Sequence, residues 1–218
     1  MKKIKIAPSI LSADFAKLGS EIRDITTAGA DVIHLDVMDG SFVKNISFGP
    51  KMIKEVRPYS KAVFDAHLMI VNPWNYIKQF AEAGADIITV HQEACGDRLK
   101  QTLEEIKALG VKCGVVINPD TSVDKIADVI ELCDMILLMS VFPGFGGQKF
   151  IPDVLPKIQQ VAKLVEKSGR DIDVEIDGGI TKDNVKLVKD AGANVIVAGS
   201  TVFNEPDRAK IIQELREI

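Results

Sequence analysis

His34-Leu35-Asp36-Val37-Met38-Asp39-Gly40 follows the apolar pair Val32-Ile33 and ends in a glycine, the pattern of a β-strand entering a turn. Side chains alternate faces along a strand, so His34, Asp36 and Met38 share one face. Asp39 takes the other, where it would fix the turn. Phe64-Asp65-Ala66-His67-Leu68-Met69 likewise puts Asp65, His67 and Met69 together, and Val174-Glu175-Ile176-Asp177-Gly178-Gly179 presents Glu175 with Asp177. Where these strand ends converge, two imidazoles and two carboxylates meet: His34, Asp36, His67 and Asp177. Neutral imidazole nitrogens with carboxylate oxygens suit zinc, ferrous iron, manganese or cobalt, and argue against calcium. His91 also ends an apolar run, but the sequence offers it no partner, so it reads as a hydrogen-bonded core residue.

Three glycine segments add a candidate anion site. Pro143-Gly144-Phe145-Gly146-Gly147-Gln148, Gly178-Gly179 and Gly199-Ser200 each follow an apolar run, and bare backbone N–H groups there make a phosphate nest. Met38, Met69 and Met139, all near strand ends, would give an apolar floor beside the metal. A divalent ion polarises a carbonyl and stabilises an enediolate, while a carboxylate removes the adjacent carbon-bound proton. Carboxylates on opposite sides of the mouth can take a proton from one face and return one to the other. The chemistry expected is epimerisation of a sugar phosphate next to its ketone.

The elements that must position these groups are short Val- and Ile-rich runs at Ile4–Leu11, Val32–Met38, Val63–Ile70, Ile87–Val90, Cys113–Ile117, Met135–Val141, Ile172–Ile176 and Val195–Ala198. Near-continuous apolar strands suit a sheet buried on both faces. Amphipathic segments lie between most of them: Asp14–Thr27 with Phe15, Leu18, Ile22 and Ile25 on one stripe; a segment opened by Asn72-Pro73 with Tyr76, Ile77 and Phe80; Pro152–Lys167; and Asp183–Asp190, with Thr181 as its N-cap. The turn Ala28-Gly29-Ala30-Asp31 recurs as Ala83-Gly84-Ala85-Asp86 and Ala191-Gly192-Ala193-Asn194, which marks the units as structurally equivalent. Eight such units in one domain over residues 1–218 favour an α/β fold of the (β/α)8 TIM-barrel type over an open doubly wound sheet.

The chain is 218 residues long, 46% hydrophobic and of net charge −4 with both signs mixed. That suits one sizeable core and gives no surface for nucleic acid or membrane. Cys95, Cys113 and Cys133 show no pairing motif and read as reduced thiols, Cys113 and Cys133 in the core. No signal sequence or membrane-spanning run is evident, so a cytoplasmic protein is expected.

Ala7-Pro8-Ser9-Ile10-Leu11, the opening stretch through Phe42-Val43, His67-Leu68-Met69, the Pro143 to Gln148 segment, Glu175-Ile176-Asp177-Gly178-Gly179-Ile180 and Ala198-Gly199-Ser200 together resemble the ribulose-5-phosphate 3-epimerase family over essentially the full chain. The resemblance implies a divalent metal, zinc first, on His34, Asp36, His67 and Asp177, with Asp36 and Asp177 as the acid/base pair. It implies substrate contacts from Ser9, His67, Met38, Met69, Met139, Gly144, Phe145, Gly146, Gly147, Asp177, Gly178, Gly179, Gly199 and Ser200. The expected partner is a small ketose phosphate, D-ribulose 5-phosphate and D-xylulose 5-phosphate being the family's pair, and the expected assembly a homo-oligomer, dimer or hexamer. Lys44, Ser47 and Phe142 depart from the usual proline, threonine and polar residue, which raises D-allulose 6-phosphate as a six-carbon alternative. A barrel decarboxylase or Schiff-base aldolase would need a lysine at a strand end, whereas Lys112 sits at a strand entrance. A sugar-phosphate sensor without catalysis would not require both bases.

Overall fold

The computed structural model describes residues 2–218. Eight parallel strands, β1 (Lys5–Ala7), β2 (Val32–Met38), β3 (Val63–Met69), β4 (Ile87–His91), β5 (Lys112–Ile117), β6 (Met135–Met139), β7 (Asp173–Asp177) and β8 (Val195–Val197), pair in the order β1-β8-β7-β6-β5-β4-β3-β2. The remaining seam is closed by Asp31, whose N–H donates to the Ile6 carbonyl at 3.0 Å, and by His34, whose N–H donates to the Pro8 carbonyl at 3.1 Å. A doubly wound sheet would leave two open edges. The (β/α)8 barrel is therefore the architecture.

Helices α1 (Leu18–Thr27), α2 (Pro50–Val56), α3 (Ile77–Glu82), α4 (Gln92–Cys95), α5 (Leu99–Ala108), α6 (Leu155–Ser168), α7 (Val185–Ala191), α8 (Ser200–Phe203) and α9 (Arg208–Glu217) follow the strands. Between β5 and β6 two 3-10 turns, Val123–Ile126 and Ile130–Leu132, stand in place of an α-helix. Outward strand residues such as Ile33, Leu35, Phe64 and Ile88 join helix residues such as Ile22, Ile106 and Ile158 in one apolar shell. Inside the barrel, Ala7, Val32, Ile87, Met135, Val195 and Val197 form a separate plug, four of them the first residues of their strands. Above that plug the interior turns polar: His34, Asp65, Thr89 and Glu175 are all 0% exposed. The chemistry expected at the mouth thus stands on a polar layer, itself standing on an apolar one.

The repeated turns explain how each strand is registered on its neighbour. Asp31 accepts the Ile6 N–H at 3.0 Å, Asp86 the Phe64 N–H at 2.8 Å and Asn194 the Val174 N–H at 2.8 Å. Each of these residues also donates its own N–H to the carbonyl of the same strand residue. Every turn therefore clamps an incoming strand to the one beside it by two opposed bonds.

Some local expectations need correction. Phe15 is 47% exposed, because the α-helix begins only at Leu18 and Phe15 sits in a preceding 3-10 turn, edge-on to Phe48 at 5.8 Å. Tyr76 is 43% exposed, since it precedes α3 and faces away from its apolar stripe. Thr181 does not cap α7 with its side chain; Asn184 reaches back to accept the Thr181 N–H at 2.8 Å instead. All three cysteines are buried free thiols, as expected for Cys113 and Cys133.

Two of the repeated turns separate backbone strain from packing. Gly29 (φ +99°) has open space where a Cβ would stand, whereas a Cβ on Gly192 (φ +117°) would lie 2.5 Å from the Ala162 Cβ. Gly29→Ala is expected to lose roughly 1–2 kcal/mol from the left-handed backbone alone. Gly192→Ala is expected to lose about 1–3 kcal/mol more from overpacking. Urea unfolding of the two variants measures the difference; equal losses would show that the helix–helix contact yields freely.

Candidate active site

Strand alternation delivers the four expected donors to one point. His34 Nε2 lies 3.3 Å from Asp36 Oδ1 and 3.3 Å from His67 Nδ1, and His67 Nδ1 lies 3.1 Å from Asp36 Oδ1. Asp177 Oδ2 approaches the same two nitrogens at 3.9 and 4.0 Å. A tetrahedral ion with bonds of about 2.1 Å has ligand–ligand edges of roughly 3.4 Å. On its far side, His34 Nδ1 is paired with Asp65 Oδ2 at 3.1 Å, which directs Nε2 toward the cluster. Lone pairs and carboxylate oxygens converging in a buried space make a hole for a cation. The residues present fit a divalent metal.

The two carboxylates differ in how they are held. Asp36 Oδ2 accepts the Ser9 hydroxyl at 2.5 Å. Burial opposes its charge, but His34 and His67 outweigh that and hold the carboxyl far below the usual range. Asp177 ends β7, where its carbonyl accepts the N–H and the hydroxyl of Ser140 at 2.7 and 2.9 Å, which fixes the backbone and leaves the carboxylate free. Burial and then the charge of Asp36 push the Asp177 carboxyl up to about 6. Beneath them, burial and then Asp65 raise the Glu175 carboxyl well above its ordinary value. Burial works against a charge on His34, yet the surrounding Asp36, Asp65 and Glu175 raise its basicity well above normal.

A cavity of about 350 Å³ opens above this cluster. It is lined by Ser9, Asp36, Met38, Met69, Met139, Gly144, Phe145, Gly146, Gly147, Asp177, Gly178, Gly179, Gly199 and Ser200, so nearly every residue expected at the site meets there. At two points its glycine side has no room for a side chain: a Cβ on Gly179 would stand 2.4 Å from the Phe150 nitrogen, and one on Gly199 2.7 Å from Ser12 Oγ. Asn45 Nδ2 donates to the Gly144 carbonyl at 2.8 Å and ties the glycine loop to the loop after β2. Asp39 accepts the Ser41, Phe42 and Val71 N–H groups and so fixes its turn, as expected.

The structure places five residues differently. His67 is fully buried and lies beneath the cavity rather than in its wall, so its part is toward the donors. Lys44 and Phe142 are absent from the lining, and Ser47 is used structurally, donating to the Asp36 carbonyl at 2.6 Å and accepting the Met38 N–H at 3.0 Å. His91, read as a core residue without a partner, has its Nε2 2.9 Å from His67 Nε2 and its Nδ1 3.1 Å from Glu93 Oε2. Its side-chain face was legible; the register that brings it to His67 was not.

Solved structures of the same fold include the 3-keto-L-gulonate-6-phosphate decarboxylase from Vibrio cholerae (TM-score 0.75, 16% identity, 100% of this chain and 97% of that one). KGPDC from Streptococcus mutans is similar (TM-score 0.74, 15% identity, 99% and 97%). At those identities they speak for the barrel alone. In sequence, the chain is 54% identical over 214 residues to the ribulose-phosphate 3-epimerase of Bacillus subtilis (strain 168), spanning 98% of each. It is 47% identical over 217 residues to the enzyme of that name from Escherichia coli (strain K12), spanning 99% and 96%. Residues 5–203 match the Ribulose-phosphate 3 epimerase family, and with Asp36, Asp177 and the glycine wall arranged as above, the chain belongs to that family.

Proposed function

We propose that this protein interconverts D-ribulose 5-phosphate and D-xylulose 5-phosphate by moving a proton at C3. The observation that carries the reading is the pair Asp36 and Asp177, on β2 and β7, with ligand oxygens within 4.8 Å of one another under a glycine-walled cavity. Asp36 on β2 takes the C3 proton from one face, and Asp177 on β7, across the mouth, delivers one to the other. In the reverse direction the two exchange roles. The Ser9 hydroxyl keeps one Asp36 oxygen oriented, while Met38, Met69 and Met139 exclude water from the reacting carbon. Gly144, Gly146, Gly147, Gly178, Gly179, Gly199 and Ser200, with Phe145 beside them, hold the phosphate by backbone N–H groups. A divalent ion on His34, Asp36, His67 and Asp177, zinc first, supplies a Lewis acid that stabilises negative charge developing on the substrate. Lys44, Ser47 and Phe142 stay out of the cavity lining, which removes the reason to favour a six-carbon sugar.

In D2O the wild type is expected to place deuterium at C3 of both epimers. Asp36→Asn and Asp177→Asn are each expected to lower kcat/KM by at least about 10²–10⁴-fold. NMR of the recovered sugar phosphates reads the exchange, and unlabelled product from the wild type would sink the two-base scheme.

A second expectation follows from the raised Asp177 carboxyl. Its folded-state value of about 6 lies above the ordinary carboxylate value, so the protonated group supports the fold at low pH, and that support is lost as pH rises through 6. Metal-free Asp177→Asn should therefore be more stable than metal-free wild type at pH 8, by up to roughly 3 kcal/mol. The gap should shrink as pH falls through 6 toward 4. Denaturation of both proteins across that range measures it, and a constant gap would show that Asp177 carries no strained charge.

A further inference from the structure

His91 ends β4 outside the donor set, yet it is fully buried and engaged at both ring nitrogens. Its ring stacks on that of His67 with centroids 5.0 Å apart and planes 25° from parallel, and Phe42 packs against it at 4.8 Å. Glu93, at the start of α4, receives the Nδ1 side of His91 on Oε2. Its other oxygen accepts the Asn118 N–H at 2.8 Å and the Thr121 hydroxyl. A carboxylate has no proton to give, so it demands the His91 proton on Nδ1. That leaves a lone pair on His91 Nε2, which requires His67 to carry its proton on Nε2. The lone pair of His67 then falls on Nδ1, the atom 3.1 Å from Asp36 Oδ1 and 3.3 Å from His34 Nε2.

We propose that His91, oriented by Glu93, is a positioning residue that fixes the tautomer and ring angle of His67 so that Nδ1 is ready to bind the metal. The proposal rests on reading His34, Asp36, His67 and Asp177 as the metal donors. It completes a symmetry in the site, for Asp65 performs the same service for His34 from the other side of the cluster. The two imidazoles are thereby aimed at each other through opposite nitrogens, His34 by Nε2 and His67 by Nδ1.

The test uses full-length protein with 15N-labelled histidine, and the chain has only three histidines to assign. In metal-free wild type, long-range proton–nitrogen correlation spectra should show His67 protonated on Nε2 and His91 on Nδ1. Glu93→Gln keeps the side-chain size but turns a donor amide toward His91 Nδ1. Both tautomers should then invert, placing a proton on the His67 nitrogen that faces the donors. Zinc affinity, read by competition with a chromophoric chelator, should fall about 10–100-fold. The thermal transition of the metal-free protein should stay within a few degrees of wild type. His67 protonated on Nδ1 in wild type, or unaltered zinc affinity in Glu93→Gln, would overturn the proposal. If Glu93→Gln proves unfolded, the wild-type tautomers still decide whether His91 sets His67. A wild type that shows those tautomers but binds no zinc would instead count against the metal-donor reading.

Discussion

The convergence of two imidazoles and two carboxylates in one buried space governs this molecule. His34 Nε2, His67 Nδ1 and one oxygen each of Asp36 and Asp177 lie within 4.8 Å of one another in a space largely closed to water. Such a cluster raises the energy of the fold unless protons or a cation stand between its members. The barrel tolerates it because stability is gathered elsewhere. The apolar shell between strands and helices and the plug at the strand entrances bury dozens of Ile, Val and Leu side chains. Each is worth about 1.5–3 kcal/mol.

The polar layer between plug and mouth is the interface between these two regimes. Asp65 and Glu175 surround His34 Nδ1, at 3.1 and 3.5 Å, and no water-filled path is needed to satisfy the imidazole. A hydrophobic layer there would have packed well. It would also have left His34 free to rotate and to present either nitrogen. The buried carboxylates serve orientation at the expense of stability, an exchange common where binding geometry matters more than fold stability.

Much of the plan was legible because it depends on periodicity. The run from Val32 to Met38 is β2 to the residue, and alternation along it, β3 and β7 correctly gathered His34, Asp36, His67 and Asp177. The glycine segments were legible because three of them follow three adjacent strands. What depends on register between strands was not. β3 pairs His67 with Thr89, so His91, two residues farther up the same face, meets His67 at the mouth. Neither its partner nor Glu93 can be read from spacing along the chain. Phe15 and Tyr76 failed for another reason: each sits just outside its helix, where the helical stripe does not extend.

The arrangement also divides labour between the two halves of the mouth. On the β2 to β4 side every polar group is tied: Asp36 by Ser9, His34 by Asp65, His67 by His91, and His91 by Glu93. On the β6 to β8 side the wall is rich in glycine, and Asp177 stands at its edge with the nearest imidazole nitrogens at 3.9 and 4.0 Å, beyond hydrogen-bonding reach. Asp36 is therefore the fixed member of the pair and Asp177 the one with room to adjust. On the proposed reading, a sugar phosphate anchored by its phosphate on the glycine side would have to present both faces of C3 without turning over. In the two-base scheme proposed above, a fixed Asp36 beneath one face and an adjustable Asp177 at the other would meet that requirement with the fewest moving parts.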